Sequence, residues 1–282
     1  MADSCTHNCE TCSMSCGSRT NKIEKKSPAK GCKIKKIIGI SSGKGGVGKS
    51  LVTSLIASRL TKDGKKVGIL DADILGPSIP KSFGVSGDGL KATVDNLMIP
   101  IETLSGIKII SSNLLLEDET EPIIYRGSLI AGVFSQFYEE VMWGDLDVLL
   151  IDMPPGTGDV ALTCYQSIPI DKVILVTSPQ SLVSMIVEKS INMALKMDVP
   201  ILGLVENMSY VECPNCKDKI YIYGESNIDN IAMNLGIDVL AKLPIREEIA
   251  RNVDSGLVEE INAPEIDNVI KKIEDMIDED DD

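Results

Sequence analysis

The sequence predicts an α/β fold with a doubly wound, mostly parallel sheet flanked by helices. Six short apolar runs, mostly β-branched, alternate with longer segments whose apolar residues recur at three- and four-residue spacing. Gly, Asp, Ser or Pro bounds most of the runs, as expected for buried strands of a parallel sheet. In such a fold, ligands bind at the carboxyl ends of the strands.

The predicted elements follow one another from residue 34 onward. The strand runs are IKKIIGIS, KVGILD, DVLLID, KVILVTS, ILGLVEN and DVLAKLP. The clearest helical stretches are KSLVTSLIASRL and SLVSMIVEKSINMAL, whose apolar spacing suits one buried face. The segment 90–110 is broken by Gly and Pro and is predicted to be an inserted hairpin.

Composition limits the classes of function. The 282 residues are 43% hydrophobic and 25% charged, which indicates a globular chain with one large α/β domain or two small ones. A formal net charge of −14 argues against general nucleic-acid binding. No apolar run reaches roughly 18 residues and the N-terminus lacks an apolar signal region, so we expect no membrane span and a cytoplasmic location. His7 is the only histidine, which disfavours triad-type hydrolases.

Three zones divide the chain. Residues 1–18 are rich in Cys, Ser and Thr and have few apolar side chains, so we expect a tail that only a bound metal would order. Residues 19–33 form a basic linker. Residues 34–282 form the main domain, which ends in an acidic tail.

A phosphate-binding loop follows the first predicted strand. Gly43–Ser50 matches G-x4-G-K-[ST], in which backbone N–H groups surround the phosphates at a helix N-terminus. Lys49 is predicted to neutralise the β/γ-phosphates of ATP, and the Ser50 hydroxyl to ligate Mg²⁺. The predicted nucleotide-binding residues of this loop are Gly43, Lys44, Gly45, Gly46, Val47, Gly48, Lys49 and Ser50.

Lys44 adds a second lysine within the glycine turn. With it, GKGGVGKS resembles the deviant Walker A loop of the MinD/ParA and nitrogenase-iron-protein class of ATPases. The resemblance implies an ATP-hydrolysing homodimer in which Lys44 reaches the nucleotide of the partner. The main domain is therefore expected to be a P-loop ATPase domain.

Polar residues follow three other predicted strands. Asp152 ends the run VLLID, where a carboxylate holds Mg²⁺ through water. By the same resemblance, Asp73 matches the aspartate that orients attacking water, residues 153–159 match switch II, and Asn207 matches an asparagine that contacts adenine. The alternatives are a helix cap for Asp73 and an ordinary turn residue for Asn207. The predicted catalytic residues are Lys44, Lys49, Asp73 and Asp152.

Cys213 and Cys216 form a C-x2-C pair in ENMSYVECPNC. Structural zinc and four-iron clusters usually take four protein ligands, so the pair is half of a site. Thiolate spacing suits either metal. A pair without metal is disfavoured because thiols in a loop are not typical of a core.

Three motifs together resemble the Mrp family of iron–sulfur cluster carriers, also called ApbC-like proteins: DADILGPSIP, IDMPPGTGD and ENMSYVECPNC. The resemblance covers residues 34 to about 260. It implies that Cys213 and Cys216 of two subunits bridge one [4Fe–4S] cluster, and that the cluster passes to apo-proteins. Client proteins and the assembly machinery are then the expected partners.

Two other functions compete with this one. The first is a MinD/ParA-like positioning ATPase with a bridging Cys₄ zinc site, although an acidic C-terminus is repelled by anionic lipid. The second is a reductase like the nitrogenase iron protein, whose cluster cysteines come from two separate segments of each chain rather than one C-x2-C.

The tail carries a second cysteine set. Cys5, Cys9, Cys12 and Cys16 have the spacing C-x3-C-x2-C-x3-C and form a candidate site for a second cluster or metal, with His7 as an alternative ligand. The eukaryotic cytosolic scaffold relatives carry an N-terminal four-cysteine site with longer spacings, so this resemblance is partial. The alternative is an unliganded tail. Cys164, on an apolar helix, is predicted to be buried.

Overall fold

The structure, a computed structural model, describes residues 25–73, 76, 78–86, 91–115, 127–180 and 183–279. Within these residues, nine strands form one sheet, in the order β3-β4-β2-β5-β1-β6-β7-β8, with β9 also paired to β7. The strands are β1 (Lys33–Ser42), β2 (Val67–Asp71), β3 (Ile101–Glu102), β4 (Lys108–Ser111), β5 (Asp145–Asp152), β6 (Lys172–Thr177), β7 (Ile201–Glu212), β8 (Lys219–Ile220) and β9 (Val239–Pro244).

Helices cover both faces of the sheet, which confirms the predicted doubly wound α/β class. They are α1 (Lys49–Lys62), α2 (Ile79–Ser82), α3 (Gly127–Glu139), α4 (Asp159–Ser167), α5 (Val183–Lys196), α6 (Ile228–Leu235), α7 (Glu247–Asp254) and α8 (Asp267–Asp278). One apolar cluster lies between the sheet and α1, α7 and α8, and a second lies between the sheet and α3, α4, α5 and α6.

The two apolar clusters arise because successive side chains of each strand point to opposite faces of the sheet. In β1, Ile37 packs in the second cluster while its neighbour Ile38 packs in the first. Gly39 lies at a close approach, because a Cβ there would come 3.0 Å from the sulfur of Met153. All six predicted strand runs form strands of this sheet, and both predicted helical stretches form helices, the second of them over its described residues from 183 onward.

The sheet is parallel except at two places. At one edge β3 pairs antiparallel with β4, which gives the hairpin predicted within 90–110. The prediction was incomplete, because β4 also pairs in parallel with β2 and so belongs to the main sheet. Near the other edge, the end of β7 turns back into β8 as an antiparallel hairpin.

The described end of the predicted linker lies against the domain. The backbone N–H of Lys26 donates to the Ser167 carbonyl at 2.8 Å, and Ala29 is buried. Cys164 is buried, as predicted, and burial raises the pKa of its thiol to about 12. Among the described residues, no helix combines the length and apolarity that a bilayer crossing requires.

Strand register brings the predicted nucleotide residues together. β1 lies between β5 and β6, and β5 lies between β1 and β2. In these parallel pairs Asp152 lies opposite Ile40 on one side and Asp71 on the other. The carboxyl ends of β1, β2 and β5 therefore meet at one edge, beside the loop that follows β1.

Candidate functional site

The predicted phosphate loop connects β1 to α1. Gly46 and Gly48 have φ angles of 77° and 82°, in the left-handed region that glycine adopts without steric cost. Helix α1 begins at Lys49, so its unpaired N–H groups and the positive end of its dipole face the loop. This arrangement is suited to binding phosphate.

Lys49 lies at the centre of a group of carboxyl groups. Its Nζ atom is 2.7 Å from Oδ2 of Asp152 and 3.8 Å from Oδ2 of Asp73. The Lys49 side chain is only 5% exposed and that of Asp152 is fully buried. A buried ammonium of this kind contacts carboxylates in the present state and is positioned to contact phosphate oxygens at the loop.

Two hydroxyl groups of α1 also contact Asp152. Ser50 Oγ donates to Oδ2 of Asp152 at 2.6 Å, and Thr53 Oγ1 donates to Oδ1 at 2.8 Å. Hydroxyl and carboxylate oxygens are the ligands that Mg²⁺ prefers, directly or through water. The donor set beside the loop therefore fits a nucleotide-bound Mg²⁺, with Ser50 and Asp152 as the residues that would hold it.

Asp71 is the third acidic side chain of the cluster that contains Asp73 and Asp152. The motif analysis gave it no role. Its Oδ2 accepts from Ser111 Oγ at 3.0 Å and its Oδ1 accepts from the backbone N–H of Asp73 at 3.2 Å. Complete burial, together with the neighbouring charge of Asp152, raises the pKa of Asp71 to about 8. Burial also raises the pKa of Asp73. Near neutral pH Asp71 is therefore largely a neutral acid.

Lys44 points away from the cluster around Lys49. Its Nζ atom donates to Oε1 of Gln180, a residue that follows β6 in the same chain. The Lys44 side chain is partly exposed, unlike that of Lys49. Its ammonium thus lies at the surface, within reach of another molecule.

Switch II, predicted at residues 153–159, lies directly against the phosphate loop. The Gly156 N–H donates to the Ser42 carbonyl at 2.7 Å, and the Met153 N–H donates to the Ile40 carbonyl at 2.9 Å. The segment therefore contacts the end of β1, where the loop begins.

Asn207 lies within β7 rather than in a turn, which removes the turn alternative. Its Nδ2 donates to the Val47 carbonyl at 3.0 Å, and the side chain is buried. A Cβ at Gly48 would come 2.1 Å from the same Nδ2 atom. Asn207 therefore holds the phosphate loop from below, and Gly48 is needed partly to make room for it.

Cys213 and Cys216 lie at the tip of the β7–β8 hairpin. The Cys213 N–H donates to the Asp218 carbonyl at 2.9 Å, and the Lys217 N–H donates to the Cys213 carbonyl at 3.0 Å. Cys213 is half-buried and Cys216 is exposed. The turn fixes the backbone of both cysteines and leaves their thiols open to a second molecule.

Hydrogen bonding favours the thiolate form of Cys213. The backbone N–H groups of Cys216 and Asn215, with the Cys216 thiol, hold the pKa of Cys213 below its ordinary value. Thiolates are the form that binds iron and zinc. Within the described part of the chain, no group of three or more His, Cys, Asp or Glu side chains is placed to hold a metal ion. Cys5, Cys9, Cys12 and Cys16 lie outside the described residues.

Sequence reasoning assigned no role to three polar residues that the fold brings to this region, although it placed Asp71 at a strand end. They are Asp71 beside Asp152, Gln180 beside Lys44, and the buried carboxylate Glu206 next to Asn207. A signal was available for two of them. Asp71 ends an apolar run as Asp152 does, and Glu206 is an acidic residue inside an apolar run. Gln180 carried no signal, because its contact depends on the fold.

The phosphate loop, the strand-end carboxylates and the parallel sheet define a P-loop NTPase. The family profile of the NUBPL iron-transfer P-loop NTPases, within the ParA class, matches residues 33–278, and the chain belongs to this family. The expected resemblance to iron–sulfur cluster carriers and the expected fold are thereby confirmed.

Curated relatives agree with the family. An iron–sulfur cluster carrier protein of Clostridium perfringens is 44% identical over 80% of this chain and 82% of its own length. One of Methanocaldococcus jannaschii is 44% identical over 90% of this chain and 89% of its own.

Solved structures agree as well. A nucleotide-binding protein in complex with ADP, from Archaeoglobus fulgidus, is 42% identical and matches with a TM-score of 0.75 over 83% of this chain and 91% of that one. The cell division protein MinD of Aquifex aeolicus matches with a TM-score of 0.58 at 19% identity, over 86% of this chain and 97% of that one, and shows the shared fold alone.

Proposed function

We propose that this chain is an ATP-dependent iron–sulfur cluster carrier that works as a homodimer in the cytoplasm. It binds and slowly hydrolyses ATP, holds a [4Fe–4S] cluster as cargo between two copies, and passes it to apo-proteins. The observation that carries the proposal is the pair of accessible thiols at the hairpin tip, in the turn that directly follows the strand supporting the phosphate loop. The names of the curated relatives support the cargo.

The nucleotide is held by the phosphate loop. The backbone N–H groups of residues 43–48 and Lys49 bind the phosphates, while Ser50 and Asp152 hold Mg²⁺. Bound Mg²⁺ supplies neutralisation of the phosphate charge. Asn207 contacts the adenine, as the family resemblance implies; in the present state its amide is buried against the Val47 carbonyl.

Hydrolysis is assigned to groups at the edge of this site. Asp73 orients the attacking water, because its carboxylate lies near Lys49 but is less buried than Asp152. Lys44 leaves Gln180 and reaches the phosphates of the partner's nucleotide, which stabilises charge as it develops. A dimer is thus needed for turnover.

The cluster site also needs the dimer. Cys213 and Cys216 give two thiolates, and the same pair from a second copy completes the four that a [4Fe–4S] cluster takes. The lowered pKa of Cys213 favours thiolate without help from a nearby base. Client apo-proteins and the assembly machinery are the partners that receive and supply the cargo.

Anaerobic reconstitution of a chain lacking residues 1–18 tests the proposal. We expect about four iron atoms per dimer, a broad thiolate-to-iron absorption band and activation of a cluster-requiring apo-enzyme. Cys213→Ala and Cys216→Ala should each lose all three while nucleotide binding survives, because the phosphate loop is a separate part of the chain. Cys32→Ser, a change at a half-buried thiol far along the chain, is the matched control.

Size-exclusion chromatography with iron detection decides between outcomes. Iron that elutes with the dimer supports the carrier function. Iron that elutes with the monomer, or zinc that fills the site after anaerobic purification, contradicts it.

A further inference from the structure

One strand carries both predicted sites. Along β7, Asn207 holds the phosphate loop through the Val47 carbonyl, and Cys213 begins the turn that bears the thiols. Only the end of β7 therefore separates the side chain that contacts the phosphate loop from the first thiol. Any movement of the loop that shifts Asn207 acts on the same strand that positions the cysteines.

The path has an irregular point between these two residues. Met208 has a φ of 58°, a left-handed conformation that is strained for a non-glycine residue. The pairing of β7 with β9 also shifts register between Glu206 and Tyr210. An earlier register shift in the same pairing lies between Leu204 and Val205, so β7 has two irregular points, and the second, at Met208, is followed by renewed pairing at Tyr210. Such strain persists only where the surrounding contacts hold it.

Glu206 supplies those contacts. Its Oε2 accepts from Ser209 Oγ at 2.6 Å, across the irregular residue, and its Oε1 accepts from the hydroxyl of Ser226. Ser226 lies in the segment that returns from the hairpin, and its Oγ in turn accepts from the Ile228 N–H at the start of α6. One carboxylate therefore links the nucleotide half of β7 to both chain segments that leave the cysteine turn.

The environment of Glu206 indicates a specific role. The side chain is 1% exposed, and no described Lys, Arg or His nitrogen lies within 4.0 Å of it. Lys242, its register partner on β9, pairs with Asp229 instead, at 2.5 Å. A buried carboxylate without a cation is unfavourable unless hydrogen bonds satisfy it. The hydroxyl groups of Ser209 and Ser226 satisfy the Glu206 carboxylate. Loss of either hydroxyl would leave one carboxylate oxygen without that hydrogen bond.

We propose that Glu206 is a positioning residue that couples the nucleotide state of the phosphate loop to the position of Cys213 and Cys216. Nucleotide binding shifts Asn207, the interruption at Met208 changes shape, and the carboxylate carries the change to Ser209 and Ser226. Removal of the carboxylate uncouples the two sites without removing either. This proposal rests on the proposed function, because it takes the two sites to be a nucleotide site and a cluster site.

Thiol labelling of the metal-free, full-length chain tests the coupling. The probe is iodoacetamide, with labelling read on the peptide that contains Cys213 and Cys216, in the presence and absence of Mg-ADP. We expect nucleotide to change the labelling rate at least about fivefold, the lower end of the range for coupled sites. In Glu206→Gln the ratio of the two rates should fall to one, while Mg-ADP affinity and the labelling rate without nucleotide stay near those of the parent chain.

Two further changes keep the test valid if Glu206→Gln does not fold. Ser226→Ala removes one hydroxyl and should lower the ratio, and Ser226→Thr keeps the hydroxyl and should restore it. Glu225→Gln, a change at the neighbouring exposed carboxylate, should leave the ratio intact. A purely structural role for Glu206 would lower the unfolding temperature of these variants but leave the ratio unchanged.

Several results would overturn the coupling. One is a ratio of one in the parent chain at saturating Mg-ADP, and another is a full ratio in Glu206→Gln. Equal ratios in the Ala and Thr variants of Ser226 are a third. A parent chain that assembles and transfers a cluster but shows a ratio of one refutes the coupling alone. A parent chain that forms no bridging cluster refutes the proposed function instead.

Discussion

The nucleotide region and the cysteine hairpin are built in opposite ways. In the nucleotide region, Asp152 at the end of β5 directly contacts three side chains from the start of α1, those of Lys49, Ser50 and Thr53. At the hairpin, Cys216 is exposed and only two backbone hydrogen bonds close the turn. In the first region these lysine, hydroxyl and carboxyl groups all come from one chain. The second presents ligands that another molecule must complete.

The difference matches the chemistry proposed for each site. Phosphoryl transfer depends on groups that are already in place, because positioning and electrostatics supply most of the acceleration. A cargo site must instead release what it holds. Short, exposed loops are where such contacts form and break.

The largest expected effect is a loss of ATP binding that leaves the cysteine hairpin unaffected. Lys49→Ala should weaken ATP binding at least about 100-fold, since hydrogen bonds to charged groups contribute roughly 1.5–3 kcal/mol each. Iron bound at Cys213 and Cys216 should be unchanged. Equilibrium binding of a fluorescent ATP analogue measures the first quantity and anaerobic iron analysis the second. Lys62→Ala, at the exposed end of α1, is the control, and loss of iron in Lys49→Ala would show that Cys213 and Cys216 need bound nucleotide in order to hold iron.

The second effect concerns turnover. Lys44→Ala should retain most of its affinity for ATP, because Lys44 contacts Gln180 rather than the phosphate cluster. Its hydrolysis rate should fall by about tenfold or more, as expected for loss of a charge that acts in the transition state. Steady-state phosphate release and nucleotide-dependent dimerisation measure this. Lys33→Ala is the matched control, and unchanged turnover in Lys44→Ala would contradict a role across the dimer.

The third effect is on stability and depends on pH. The folded pKa of Asp71 is about 8 against an ordinary 3.8, so the folded chain keeps a proton that the unfolded chain loses. The stability that protonated Asp71 contributes to the folded chain is fully present below the unfolded pKa. It is lost as pH rises toward 8. Asp71→Asn does not titrate, so relative to the parent it should gain stability as pH rises from about 5 to about 8, by up to about 1.4 kcal/mol per pH unit.

Denaturant unfolding without nucleotide across that range measures the gain. Asp254→Asn, a change at an exposed carboxylate, should run parallel to the parent chain. Parallel curves for Asp71→Asn as well would show that the carboxyl group is not protonated in the folded state.

The smallest effect is expected from the tail. Deletion of residues 1–18 should change the free energy of unfolding by less than about 0.5 kcal/mol, because this segment has few apolar residues to bury. Iron per chain should fall if Cys5, Cys9, Cys12 and Cys16 hold a second cluster. Equal iron in the full-length and truncated chains would favour an unliganded tail.

Most features that could be predicted from the sequence were local motifs. The phosphate loop, the strand runs and the C-x2-C pair are each contiguous in sequence, and backbone preference and alternation are local properties. The position of Asp152 followed from a strand end alone. The register that sets Asp71 beside Asp152, and the edge position of β4, depend on pairing between distant segments.

Side-chain partners were the part that sequence could not supply. Asn207 matched a family position, but its bond to the Val47 carbonyl depends on how β7 crosses beneath the loop. The contact of Lys44 with Gln180 joins residues that are far apart in the chain. The left-handed Met208 has no local signal, since Gly, Asn or Asp is the usual residue there. Tertiary contacts impose that conformation.

The carboxyl groups around Lys49 are also expected to influence which form of nucleotide binds. Two acidic side chains, those of Asp73 and Asp152, lie around the one lysine side chain of Lys49, so acidic groups outnumber basic ones there before any phosphate arrives. A free nucleotide adds like charge to a buried region, where repulsion is poorly screened. A nucleotide that arrives with its divalent cation brings the missing positive charge. We therefore expect the preference for Mg-ATP over free ATP to depend on this charge balance. The preference should weaken when a neutral residue replaces Asp73.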